Sequence, residues 1–314
     1  MAKKAKIFID GEHGTTGLKI RERLCARSDI EVLSIPHKER RNDEFRSTLL
    51  NQADIAILCL PDDASRQAVA MLAETGNQTT RIIDTSTAHR TAPNWVFGFA
   101  ELTAGQEAAI AAARFVSNPG CYSTGAIALL RPLIDAGVLA PGHPISINAV
   151  SGYSGGGKDL IARMEDTSHA EHVSANHFLY ALTMAHKHVP EIVSRAGLKR
   201  APVFTPNVGR FAQGMLVNVP LHLDLLITSP DAANLRDILD KHYSGSKFVT
   251  VAGSEETGNL ARVDAQEMVG SDAMKLYVFG DKEGTQANLV ASLDNLGKGA
   301  SGAAIQNLDI MLAG

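Results

Sequence analysis

In the run "SNPGCYSTG", residues 117 to 125, Cys121 follows an Asn-Pro-Gly turn and precedes the helix-like run "AIALLRPLIDAG". A thiol at a helix N-terminus has its thiolate favoured by unsatisfied N–H groups and by the helix dipole, which brings its pKa toward neutrality. Pro119 and Gly120 hold a tight turn that exposes the side chain, and the Asn118 amide can donate to a developing oxyanion. The chemistry this suggests is nucleophilic attack on an acyl group. The alternative is a small buried residue that merely starts a helix.

Such a thiol needs a base, and "AHKHVPEI" supplies His188. Val189 before Pro190 is biased toward extended geometry, while Pro190 suits the first turn of a helix "PEIVSRAG", so His188 stands just ahead of that helix. Glu191, three positions on, is near enough to orient the imidazole. A neutral imidazole beside a cysteine acts first as general base and later as general acid. For any one of eleven histidines a surface or satisfied core place is the alternative, and the pattern leaves open whether His186 contributes beside His188. His169, His172, His177, His186 and His188 cluster in sequence, but their spacing matches no metal signature, and no metal is expected.

Two glycine-rich loops complete the inventory. Gly11, Gly14 and Gly17 in "GEHGTTG" depart from the G-x-G-x-x-G spacing, yet follow the strand-like "AKIFID" and open a helix with Leu18 and Leu24 on one face. The glycines let backbone approach a pyrophosphate, and the first helical N–H groups, at Thr15, Thr16 and Gly17, meet its charge. The strand "IEVLSI" ends without the acidic residue that binds a ribose 2′-hydroxyl; instead come Ser34, His37, Lys38, Arg40 and Arg41, with Ser34, Lys38 and Arg40 suited to a 2′-phosphate. NADP(H) is therefore favoured over NAD, a solvated basic loop being the bland reading. The second loop, "SGYSGGGK", lies between "ISINAV" and "KDLIARME"; it either closes over a nicotinamide through Gly155, binds a substrate anion through Lys158, or is a plain connector.

These groups need a scaffold. Strand-like "ADIAILCLP", "TRIIDTS" and "ARFVSN", alternating with helical runs such as "DDASRQAVAMLAE", predict an α/β, Rossmann-type, doubly wound parallel sheet whose ligands sit beyond the strands' carboxyl ends. The pattern then changes. "GMLVNVPLHLDLLI" alternates, with Val217, Val219, Leu221, Leu223 and Leu225 on one side, and Pro220 marks it as an edge or bulged strand. "KLYVFGDKEGTQANLVASLDNL" reads as a hairpin closed around Asp281 to Gly284, and "GKGASGAAIQNLDIMLAG" as a loop followed by a helix. The second part is thus an α+β domain with a mixed or antiparallel sheet for substrate and dimerisation. The boundary falls near residue 118: a nucleotide domain over 1–117, a catalytic and oligomerisation domain over 118–297. One α/β domain with insertions is the alternative.

At 314 residues, 45% apolar, 20% charged and with a net charge of −4, the chain suits a globular enzyme on a small-molecule substrate rather than a nucleic-acid binder. No apolar run approaches the ~20 residues needed to span a bilayer, and the N-terminus lacks a signal-peptide pattern; a cytoplasmic place is expected. Cys25 and Cys59 read as small buried core residues. The alternating strand at 215 to 226 offers a face to a partner subunit, so a homo-oligomer, dimer or tetramer, is expected.

Taken in order, the glycine turn, "SNPGCYST", "SGYSGGGK", "HKHVPE" and "DNLGKGASGAAIQN" span nearly the whole chain, which resembles the shorter bacterial type of N-acetyl-γ-glutamyl-phosphate reductase. Gly120-Cys121-Tyr122 and the His-x-His-x-Pro-Glu run are the specific parts. The resemblance implies Cys121 as nucleophile and His188 as acid and base in an NADPH-dependent reduction of an acyl phosphate to an aldehyde, within arginine biosynthesis. It also implies that the C-terminal helix, about 298–314, rejoins the nucleotide domain, with Asn295 and Lys298 near the cofactor. "DTSTAHR" and "FGFAEL" match the longer type only loosely; there Arg90 is the candidate for the substrate's anion, with Arg210 another. Aspartate-semialdehyde dehydrogenase is the nearest rival, and a non-catalytic NADP-binding sensor the rival of another class.

Overall fold

The computed structural model describes residues 4–314. They divide into two compact units, one running to Gly120 and taking in Ala300–Gly314, the other comprising Cys121–Gly299.

In the first unit, short runs rich in Ile and Val form β1 (Ala5–Asp10), β2 (Ile30–Leu33), β3 (Ile55–Leu58), β4 (Arg81–Asp84), β5 (Val96–Phe97) and β6 (Phe115–Ser117). Between them lie α1 (Thr15–Cys25), α2 (Asp43–Gln52), α3 (Asp62–Glu74) and α4 (Gln106–Ala112). All pairs are parallel, in the order β2-β1-β3-β4-β6-β5. The chain leaves β1 for β2 on one side and returns to β3 on the other, so the switch point lies between β1 and β3. Alternation along β1 divides its side chains between two buried layers. Ile7 and Ile9 pack with Ile20 and Leu24 of α1 and with Ala304 and Leu308 of the C-terminal helix, Gly302–Ala313. Phe8 packs with Leu50 and Leu72 of α2 and α3. Each such side chain contributes about 1.5–3 kcal/mol by leaving water, which is why a sheet covered on both faces reads as continuous apolar runs. Arg81 fastens the C-terminal helix by donating to Met311 O (2.6 Å) and Ala113 O (2.9 Å).

The doubly wound sheet is as the alternation implies, but several details differ. The buried stripe of α1 is Gly17, Ile20 and Leu24, with Leu18 outside it and 40% exposed. Cys25 is exposed rather than core, because it lies one position past that stripe in the last turn. Cys59 is partly buried against the first core layer, and burial pushes its thiol up to about 12.

The second unit comprises α5 (Cys121–Asp135), β7 (Ser146–Gly152), α6 (Gly157–Glu165), β8 (His177–Leu179), α7 (Val189–Ala196), β9 (Val203–Gly209), β10 (Met215–His222), α8 (Ala232–Tyr243), β11 (Val249–Val251), α9 (Ser254–Asn259), β12 (Met274–Gly280) and β13 (Gln286–Leu293). Its sheet is mixed, ordered β11-β12-β13-β10-β7-β9-β8, with β7/β9 and β11/β12 parallel and the other pairs antiparallel. Helix α5 packs across β10 and β13. It approaches closely at Gly125, where a Cβ would fall 2.8 Å from Val217.

Strand β10 is central, not an edge, and it pairs without a bulge along its full length with β13. Pro220 is tolerated because pairing with β7 stops at Asn218, leaving that side open. The alternation ends at His222; Leu223–Leu225 is a short 3-10 turn, and Leu225 is 61% exposed. The β12–β13 hairpin closes as its sequence implies, through an Asp281 carboxylate that accepts from Thr285 N (2.8 Å) and Gln286 N (2.9 Å). The Thr285 hydroxyl, which also donates to that carboxylate, and then those backbone bonds hold the Asp281 carboxyl below its usual range. Gly297–Ser301 is a π-helical turn rather than a loop.

Candidate active site

Cys121 is the first residue of α5. The turn before it is fixed from the first unit: Asn118 donates its N–H to Asp84 O (2.7 Å) and its side-chain amide to Ala300 O (3.0 Å), and accepts from Asn307 (3.0 Å). Arg90, buried, donates to Asn118 O (2.9 Å) and Thr85 O (3.0 Å), so two of its groups brace the backbone at the ends of β4 and β6. The π-helical turn packs on Cys121 within the second unit. A Cβ on Gly299 would stand 2.9 Å from that of Cys121, so only glycine fits there.

His188 is buried at the head of α7. The helix begins at Val189, one residue earlier than the Pro190 rule predicts; Pro190 falls inside the first turn, where its missing N–H breaks no helical bond. Glu191 is fully buried one turn on, and its charge opposes the lowering by burial of Arg195. α5 and α7 pack side by side, and the Tyr122 ring lies 5.9 Å from the rings of both His186 and His188. The residue after the thiol thus meets the histidine run. Burial raises the Tyr122 phenol far above its usual range, with Tyr180 and Cys121 adding to it.

His186 lies beneath this pair, its ring 4.8 Å from that of His188. Burial, with Lys187 adding to it, pushes His186 down to about 4. An unfolded chain takes up this proton below about pH 6.5, the folded one only near 4. Its contribution is therefore complete above 6.5 and lost as pH falls through that window. Denaturant titrations at pH 7 and pH 5 should show a loss of roughly 2 kcal/mol from this group, and His186→Asn should flatten the difference. An unchanged pH dependence in the variant would contradict it.

Other sequence-chosen residues in this unit are distributed as follows. Gly155 is exposed in the second glycine loop and Lys158 is exposed on the first turn of α6. Asn295, buried, holds that loop by donating to Ser154 Oγ (2.9 Å) and accepting from Gly214 N (2.8 Å). Lys298 is buried, its ammonium 5.3 Å from the Phe248 ring centre. Arg210 is committed to backbone, donating to Met164 O (3.0 Å), Ala175 O (3.3 Å) and Val173 O.

The first unit carries a cradle at the switch point. Gly11 has φ of +93°, and a Cβ there would meet Cys59 O at 2.3 Å; one on Gly17 would meet Gly11 O at 2.3 Å. Helix α1 starts from Gly14 with no side-chain cap and no acidic residue in its first turn. Among the described residues the buried Thr15 hydroxyl has no hydrogen-bond partner. Bare backbone, uncapped N–H groups and an unused hydroxyl fit the pyrophosphate of a dinucleotide. At the end of β2 the picture sharpens. Lys38, Arg40 and Arg41 are exposed, and Arg40 approaches His37 at 2.6 Å. Ser34 Oγ reaches the carboxylate of Glu12 at 3.3 Å. Glu12, passed over in the sequence because it lies inside the glycine turn, is buried; it also pairs with Arg21 (2.9 Å) and accepts from Ile35 N (3.3 Å).

Two family models match the chain. Residues 6–110 match the family model for the semialdehyde dehydrogenase NAD binding domain, and 121–295 that for the semialdehyde dehydrogenase dimerisation domain. A protein of Rhizobium meliloti named N-acetyl-gamma-glutamyl-phosphate reductase is 61% identical over 99% of both chains, and one of that name from Brucella anthropi is 61% identical over 98% of this chain and 99% of its own. Among solved structures, aspartate semialdehyde dehydrogenase II of Vibrio cholerae superposes with a TM-score of 0.74 over 99% of both chains at 18% identity, a likeness of fold. No helix among the described residues is long and apolar enough to cross a membrane. With a thiol at a helix start, a histidine run beside it and a glycine cradle in the other unit, the chain belongs to the N-acetyl-gamma-glutamyl-phosphate reductases of the semialdehyde dehydrogenase family.

Proposed function

We propose that the chain reduces N-acetyl-γ-glutamyl phosphate to N-acetylglutamate 5-semialdehyde and phosphate, with NADPH as reductant, as a step of arginine biosynthesis in the cytoplasm. The observation that carries this reading is the meeting of the Cys121 helix start with the buried histidine run through Tyr122. His188 takes the thiol proton, and Cys121 Sγ attacks the acyl carbon. The carbon–oxygen bond to phosphate breaks, phosphate leaves with the electron pair, and a thioester remains. NADPH, when bound, supplies the hydride that reduces the acyl carbon. His188 then protonates the resulting oxyanion, and takes that proton back as the carbon–sulfur bond breaks and the thiolate leaves. Asn118 and the N–H groups of the α5 start stabilise the oxyanion, and Glu191 orients the base.

Gly11, Gly14, Thr15, Thr16 and Gly17 would hold the pyrophosphate, and Ser34, Lys38 and Arg40 the 2′-phosphate, with Gly155, Asn295 and Lys298 serving the nicotinamide end. Among the three candidates for the substrate's anion, Lys158 is favoured because it makes no hydrogen bond or ion pair among the described residues, whereas Arg90 and Arg210 are engaged by carbonyls. The nucleotide domain corresponds to the first unit and the catalytic domain to the second. The second also provides a subunit interface, since the family model for 121–295 is that of a dimerisation domain.

The test is NADP reduction with N-acetylglutamate semialdehyde and with aspartate semialdehyde, each with and without phosphate. Phosphate-dependent turnover of the acetylated substrate is expected. Turnover without phosphate would refute the mechanism, and a preference for aspartate semialdehyde the substrate.

A further inference from the structure

Beside the helices of the nucleophile and the base runs a set of hydrogen bonds that the chemistry above does not use. His188 donates its backbone N–H to His186 Nδ1 at 3.1 Å. Acceptance there leaves the His186 proton on Nε2, which lies 3.1 Å from the Tyr180 hydroxyl and donates to it. The Tyr122 ring packs edge-on against the rings of both His186 and His188, 5.9 Å from each. Tyr122 gives its own proton to Asn207 O at 2.8 Å, which anchors it to β9. The His188 and His186 donors point the same way, toward Tyr180, and aligned bonds of this kind polarise and stiffen one another. Local structure explains how Tyr180 and His186 meet. Ala181 and Met184 both have positive φ (52° and 62°), and Met184 N bonds Ala181 O at 2.9 Å, folding the segment back on itself. Positive φ at two residues with side chains costs on the order of 1 kcal/mol each, which a mere connector would not need.

We propose that Tyr180 and His186 are positioning residues: Tyr180 fixes the His186 ring, which accepts from His188 and packs against Tyr122, and so sets the distance between the base and the adjacent nucleophile Cys121. His186 transfers no proton; it fixes the backbone from which the His188 ring projects. Tyr180 holds the His186 ring against that of the residue following the thiol. The proposal rests on the roles of Cys121 and His188 given above.

Three variants test it in the full-length protein: Tyr180→Phe removes one hydroxyl, His186→Asn keeps an acceptor near Nδ1, and His186→Gln keeps a donor near Nε2. For each, kcat, KM and the pH profile of Cys121 alkylation are measured in a Cys25→Ser background. Tyr180→Phe should lower kcat about tenfold, leave KM within about twofold, and move the alkylation midpoint upward. Both histidine variants should fall further, with His186→Asn the more active. Tyr180→Phe with unchanged kcat and alkylation profile would overturn the proposal. So would an activity loss explained by lowered melting temperature with the alkylation profile unmoved. Should the histidine variants not fold, Tyr180→Phe decides alone. Full activity in Cys121→Ser would instead remove the catalytic reading itself, a result distinct from a silent Tyr180→Phe.

Discussion

Replacing Cys121 with serine should reduce phosphate-dependent turnover by at least about 10³-fold, in line with losses on removing a covalent nucleophile, while NADPH binding measured by fluorescence stays within about twofold. The separation is expected because the glycine cradle and the basic end of β2 lie in the first unit, whereas the thiol begins the second. A serine hydroxyl fits the space beside Gly299 but is far less ionised than a thiol at neutral pH. Retained turnover would refute covalent catalysis through Cys121. Loss of both turnover and NADPH binding would point to misfolding, which a melting curve would reveal. Alkylation offers a second view, with one correction: Cys25 is exposed, so alkylating reagents reach it and it must be removed before Cys121 is followed. Cys59, pushed up to about 12, should stay inert.

The second large effect is expected at His188. His188→Asn should lower kcat about 10²- to 10⁴-fold, the usual contribution of a positioned acid and base. The residual rate should climb steadily with pH, because thiolate must then form by bulk titration rather than by transfer to imidazole. The fold should survive, since it is the backbone N–H of His188 that joins the chain to His186. A loss below about threefold, or a pH profile matching the wild type, would mean that another group is the base.

Much of this was legible in sequence because it depends on local rules. Strand and helix alternation gave the parallel sheet, and Cys121 does open its helix. The failures arose where tertiary context decides. Pro220 signals an edge, yet β10 is central, and the proline is tolerated there because pairing with β7 stops at Asn218. Cys25 looks apolar, yet the buried face of α1 is set by Gly17, Ile20 and Leu24. Glu12 and Tyr180 carry no motif at all. A carboxylate within a glycine turn and a tyrosine six residues before a histidine acquire meaning only when β2 and the Ala181–Met184 turn bring their partners close.

The C-terminal helix, whose Ala304, Leu308 and Met311 complete the core around β1, has a consequence for biosynthesis. The nucleotide-binding unit cannot close when its own strands leave the ribosome. It must wait while all of Cys121–Gly299 is translated, on the order of ten seconds or more at ~5–20 residues per second. During that delay the part of the sheet's Ile-rich face that Ala304, Leu308 and Met311 cover stays open, an apolar surface of the kind chaperones bind. The enzyme's first-made half is the last to be finished.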